Sequence, residues 1–210
     1  MTESSNENDE AENARHKEKA RKHKAARDKI MATKTGEKGL LIVHTGTGKG
    51  KTSAALGMVF RHIGHGFPVA VVQFTKSPAW DTGEARVLAK FPELVTLHIM
   101  GEGFTWETQD RARDVAAAAA AWEKAKDLIR DERNSMVLLD EINIALRYDY
   151  LDINEVLEFL KTEKPYMTHV VLTGRNAKEE LFEIADLVTE MELIKHPFRS
   201  GIKGQPGVEF

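Results

Sequence analysis

Residues 39–210 predict an α/β fold, a mostly parallel, twisted sheet with helices on both faces. Six short apolar runs alternate with amphipathic stretches. Most of the runs are apolar on both sides, as strands must be when helices cover both faces of their sheet. The first run also passes straight into a glycine-rich loop and then into a helical stretch, the order of an α/β unit.

The runs are LLIVHT (40–45), VAVVQF (69–74), VTLHIM (95–100), MVLLD (136–140), HVVLT (169–173) and LVTEMEL (187–193). Helical patterns lie between several of them, at 51–64, 107–130, 152–161 and 177–185. The stretch from Ala116 to Ala121 is a strong helix former. Asp152 followed by Glu155 predicts an N-cap with a reciprocal acceptor three residues on. No internal repeat is present, and no boundary interrupts the chain after residue 39.

Composition sets the class. With 41 % hydrophobic and 30 % charged residues among 210, the chain reads as a globular protein of ordinary size. No apolar stretch approaches the ~20 residues of a membrane span, and Met1 to Asp28 holds no apolar run that could serve as a signal peptide. Cysteine is absent, which excludes disulfides and thiolate metal sites and suits a cytoplasmic setting.

The net charge of −3 hides a segregated start. Glu3, Glu7, Asp9, Glu10 and Glu12 come first, and RHKEKARKHKAARDK (15–29) follows, with eight Lys or Arg against Glu18 and Asp28. Residues 1–38 are therefore read as a charged extension. It is a solvated, disordered or partly helical tail, a nucleic-acid arm, or a helix that folds over an anionic ligand.

The strongest chemical signal is HTGTGKGKTSAALG (44–57). Gly46, Gly48 and Gly50 let a backbone curl and present N–H groups to phosphate, and a helix starting near Lys51 adds its positive end. Lys51 supplies a mobile cation, and the Thr52 hydroxyl can reach a magnesium ion on the phosphates. The match departs from the general pattern at Thr45, where a glycine is expected, and in the extra cation Lys49. Such a loop can hold a triphosphate in another register.

A second signal ends the fourth run. Val137-Leu138-Leu139-Asp140-Glu141 looks like a Walker B element, whose strand-end carboxylates complete a magnesium shell beside Thr52. Thr173-Gly174-Arg175 ends the fifth run, where ligands of open α/β sheets bind, so Arg175 is a further candidate for anionic oxygen.

Taken together, TGTGKGKTSAALG, RHIGHG, VVQF, GFTWETQ, LLDEIN, LTGR and KHPFRSGIKGQPGVEF resemble, in order, the ATP:corrinoid adenosyltransferases of the phosphate-loop class. The likeness runs from about Gly39 to Phe210. One departure is Thr47, where some members carry asparagine.

The resemblance implies a RecA-like fold, magnesium dependence and a homodimer. It also implies transfer of the 5′-deoxyadenosyl group of ATP to a Co(I) corrinoid, with triphosphate released and ATP bound in a reversed orientation. Co(I) is then the nucleophile, and Gly46 to Thr52 with Lys49 and Lys51 stabilise the departing triphosphate. Arg61, in RHIGHG, would assist from the first helix.

Phe104 and Trp106 would form an apolar wall that keeps the lower axial ligand off Co(II), easing its reduction. As core aromatics after the third strand they would need no such role. The implied partners are ATP, a corrinoid (cobalamin, cobinamide or cobyrinic acid diamide) and a flavoprotein reductant, with neither nucleic acid nor membrane. The N-terminal segment would close over a neighbouring site. Two rival readings stand beside this one: a RecA-like ATPase or kinase using the basic arm on nucleic acid, and a nucleotide-dependent switch.

Overall fold

The computed structural model describes residues 3–103 and 110–209, with side chains from residue 12 onward. It forms two compact units, Met1–Glu37 and Lys38–Phe210. The first holds one long helix, α1 (Glu3–Met31). Its described side chains are nearly all exposed. It has no apolar stripe, and its local support comes from pairs one turn apart, such as Glu18 with Arg21 at 3.0 Å.

In the second unit the chain runs through β1 (Leu41–Thr45), α2 (Lys51–Gly64), β2 (Val69–Gln73), α3 (Gly83–Leu88) and β3 (Val95–Ile99). It continues through α4 (Arg111–Arg130), β4 (Met136–Asp140), α5 (Ile142–Arg147), α6 (Ile153–Thr162) and β5 (His169–Thr173). Last come α7 (Glu180–Ile184), β6 (Leu187–Glu190) and a short 3₁₀ turn, Pro197–Ser200.

The six strands form one sheet in the order β3-β2-β4-β5-β1-β6, and every pair is parallel. Side-chain alternation divides the core in two. Leu41, Val43, Ala70, Val72, Val137, Leu139, Val170 and Leu172 face one side, where α4, α5 and α6 bring Trp122, Ile129, Leu146 and Phe159. Ile42, Val69, Val71, Met136, Leu138 and Val171 face the other, against Ala55, Leu56 and Val59 of α2 and Leu88 of α3. Burial on both faces is why the central runs carry no polar alternation.

Two expectations are corrected. Asp152 caps α6 by accepting from the Asn154 N–H at 2.8 Å, but Glu155 makes no reciprocal bond. Its carboxylate reaches across to α4 and accepts from Trp122 Nε1 at 3.0 Å and Lys126 Nζ at 3.1 Å. A buried indole N–H needs an acceptor, and that demand outweighs a local cap. The last run, LVTEMEL, predicts a strand over 187–193. It ends at Glu190, and Leu187 and Val188 are exposed, because β6 is an edge strand paired only with β1. Among the described residues, no helix is long and apolar enough to cross a membrane.

Candidate nucleotide and metal site

The site lies at the carboxyl ends of four adjacent strands, β2, β4, β5 and β1. From β1 the chain enters the glycine loop, whose last residue, Gly50, takes φ 105° and serves as the N-cap of α2. Only glycine adopts that conformation without strain. At Gly48 the demand is space, since a Cβ there would meet Glu192 O at 2.5 Å and Met191 O at 2.7 Å. The chain leaving β6 thus packs directly on the loop. The Gly48 N–H donates to Met191 O at 2.6 Å, so this amide, expected to face phosphate, serves the loop's own support.

Lys51, 6 % exposed, folds over the loop and donates to the carbonyls of Gly46 at 2.9 Å and Gly48 at 2.5 Å. Burial lowers the pKa of its ammonium, Glu141 opposes that shift, and Arg175 and Lys49 add to it. Lys51, Arg175 and Lys49 therefore share one field around the loop, an arrangement suited to a polyanion. Thr47 is exposed at the loop tip. Lys49 turns outward to form an ion pair with Glu209 near the chain's end.

Thr45, where a glycine is expected, is 4 % exposed and accepts from the Ala177 N–H at 2.9 Å. Its hydroxyl ties β1 to the turn after β5, which carries Arg175. A glycine would leave that turn unanchored, so the departure from pattern has a structural use.

The two acids at the end of β4 play different parts. Asp140 is 0 % exposed and its carboxylate is surrounded by donors. Thr52 Oγ1 and Thr173 Oγ1 each donate to Oδ1 at 2.8 Å, while Gln73 Nε2 at 3.2 Å and Lys76 Nζ at 3.4 Å approach Oδ2. Glu141 sits in the left-handed region (φ 65°), fixed by its N–H donating to Thr173 Oγ1 at 2.9 Å. Its Oε2 is buried without a hydrogen-bond partner. Burial first, then the neighbouring Asp140, raises its pKa; Lys51, Lys76 and Arg175 oppose the rise.

That orphaned oxygen, on the residue after the Asp140 that holds the Thr52 hydroxyl, is of the type a hard cation takes. Among the described residues, no three His, Cys, Asp or Glu side chains converge on a point. Magnesium commonly takes one or two carboxylates and completes its shell with water and substrate phosphates.

Thr52, Asp140 and Glu141 are thus brought together with Lys51, and Arg175 joins them through its field. Arg61 is not: it lies exposed in the last turn of α2, roughly 15 Å along the helix from Lys51. Phe104 and Trp106 lie outside the described residues. Sequence reasoning missed Gln73, Lys76 and Glu84. The one local signal was a polar Gln73 ending an otherwise apolar run.

A glycine loop ending β1, with a strand-end acid pair one strand removed across β5, defines a nucleotide-binding protein of the phosphate-loop class. Residues 37–210 match the family model described as ATP:corrinoid adenosyltransferase BtuR/CobO/CobP, and residues 1–31 match cob(I)alamin adenosyltransferase N terminal. The chain belongs to the ATP:corrinoid adenosyltransferase family. It is 72 % identical to a corrinoid adenosyltransferase of Sinorhizobium sp over 96 % of this chain and 94 % of that one. It is 53 % identical to one from Pseudomonas aeruginosa over 93 % and 96 %. A KaiC-like protein of Pyrococcus horikoshii superposes with a TM-score of 0.44 at 16 % identity, covering 74 % of this chain and 73 % of that one. The family membership favours adenosyl transfer over the ATPase or kinase reading.

Proposed function

We propose that this enzyme transfers the 5′-deoxyadenosyl group of ATP to the Co(I) centre of a corrinoid, with triphosphate held at the carboxyl ends of β1, β4 and β5. The observation that carries these roles is the convergence of Lys51, Thr52 and the orphaned Glu141 oxygen around one loop. The Co(I) electron pair forms the Co–C5′ bond while the C5′–O bond breaks, and triphosphate leaves with the bonding pair. Cobalt is the nucleophile, so no side chain is required as a base.

The protein's task is to hold the triphosphate and to stabilise the charge it gains on leaving. Lys51 is already aimed over the loop, and Lys49, Arg175 and the remaining loop amides of Gly46 to Thr52 add to it. Thr47, at the loop tip, is assigned a nucleotide contact.

Thr52, Asp140 and Glu141 would hold magnesium, directly or through water, with Asp140 also behind Thr52. When bound, the ion would neutralise phosphate oxygens. Because the Thr52 hydroxyl donates to Asp140, its lone pairs are left free for a cation. Phe104 and Trp106 are proposed as the wall that excludes the lower axial ligand. The working form is proposed as a cytoplasmic homodimer that accepts cobalamin, cobinamide or cobyrinic acid diamide and draws electrons from a flavoprotein.

The test is anaerobic. Chemically reduced corrinoid mixed with ATP, magnesium and the protein should lose its Co(I) spectrum and gain a light-sensitive organometallic one. Persistence of the Co(I) spectrum with each of the three corrinoids would overturn the reading.

A further inference from the structure

Beyond the loop, a half-buried cation leans on the site from the end of β2. Lys76 lies three residues past β2 and approaches Asp140 Oδ2 at 3.4 Å. It also donates to Glu84 in the first turn of α3 at 2.5 Å, and both side chains are 18 % exposed. Gln73, 1 % exposed, donates to the same Oδ2 at 3.2 Å.

A carboxylate offers about four acceptor positions. Asp140 accepts from Thr52 and Thr173 at Oδ1 and from Gln73 at Oδ2, with the Lys76 ammonium 3.4 Å from Oδ2, so both of its oxygens are engaged by the protein. Its part is to orient its neighbours. By accepting the Thr52 proton it turns the Thr52 lone pairs outward, and by accepting the Thr173 proton it leaves Thr173 to receive the Glu141 N–H. Both metal-facing groups are therefore set by one carboxylate, whose rotation is fixed from the β2 side.

We propose that Lys76 is a positioning residue for adenosyl transfer. With Gln73 it locks Asp140 in the rotation that aims Thr52 and Glu141, and Glu84 locks Lys76. Side chains behind metal ligands commonly act this way. The inference rests on the magnesium assignment proposed above.

A rival account is simple charge compensation, in which Lys76 only offsets a buried anion. The two accounts predict opposite signs. Removing a cation beside a metal site strengthens divalent binding through space, whereas losing the lock misaims the ligands and weakens it.

Titration calorimetry of ATP into the full chain across a magnesium series, without corrinoid, reads the difference. Lys76→Met should raise the magnesium concentration for half-maximal ATP binding roughly tenfold, measured at a temperature where circular dichroism shows the variant folded. Lys76→Arg should restore most of the loss. If Lys76→Met fails to fold, Lys76→Gln removes the same charge but keeps a polar head beside Asp140 and Glu84, and should shift the midpoint in the same direction by a smaller factor. An unchanged or lowered midpoint in the folded variant overturns the inference alone. Wild-type ATP binding that ignores magnesium would overturn the metal assignment and the inference with it.

Discussion

Lys51 and Thr52, proposed to carry the chemistry, do not carry the fold. Lys51 bonds only to loop carbonyls, and Thr52 bonds to a carboxylate that keeps three other donors. Lys51→Ala and Thr52→Ala should each lower the adenosylation rate roughly a hundredfold, as loss of one preorganised donor does, while thermal unfolding stays near wild type. Glu141 behaves otherwise. Its pKa is raised above the ordinary 4.5, so the folded protein binds that proton more tightly than the unfolded chain does. Its charge costs stability above the raised pKa, and the cost fades as pH falls toward 4.5. Glu141→Gln should therefore raise the melting temperature of metal-free protein by roughly 2–4 °C in mildly alkaline buffer. The gain should shrink on acidification, and magnesium-dependent ATP binding should be lost. A gain that grew on acidification would contradict the assigned field.

At the scale of elements, the glycine loop is held from two directions. The chain leaving β6 packs on it through Met191, and the terminal segment reaches Lys49 through Glu209. The Glu209 carboxylate occupies a cation that a triphosphate would also use. Glu209→Gln should lower the apparent Kd for ATP by roughly two- to fivefold at low salt, the range of an exposed ion pair, and the gain should vanish in high salt. A weakened affinity would mean that Glu209 positions Lys49. The strands, the loop and the acid pair were legible in the chain because each is a local pattern: doubly apolar runs, closely spaced glycines, two acids ending a strand. Glu155 was misread because its partner, Trp122, lies on another helix. Lys76 went unread for the same reason, since parallel register alone brings β2's end beside Asp140.

For the whole molecule, the two compact units make separable claims. Lys38–Phe210 holds the sheet, both core layers and every described site residue. Removing residues 1–31 should leave its cooperative unfolding intact and weaken corrinoid or ATP binding. Loss of folding would show that the helix supports the core. The loop is proposed to present ATP for attack at C5′ and not at a phosphorus atom. The direct measurement is phosphorus NMR of a completed anaerobic reaction with reduced corrinoid. It should show inorganic triphosphate equal in amount to the adenosylated corrinoid formed. ADP with phosphate, or AMP with pyrophosphate, appearing without a cobalt–carbon product would contradict it.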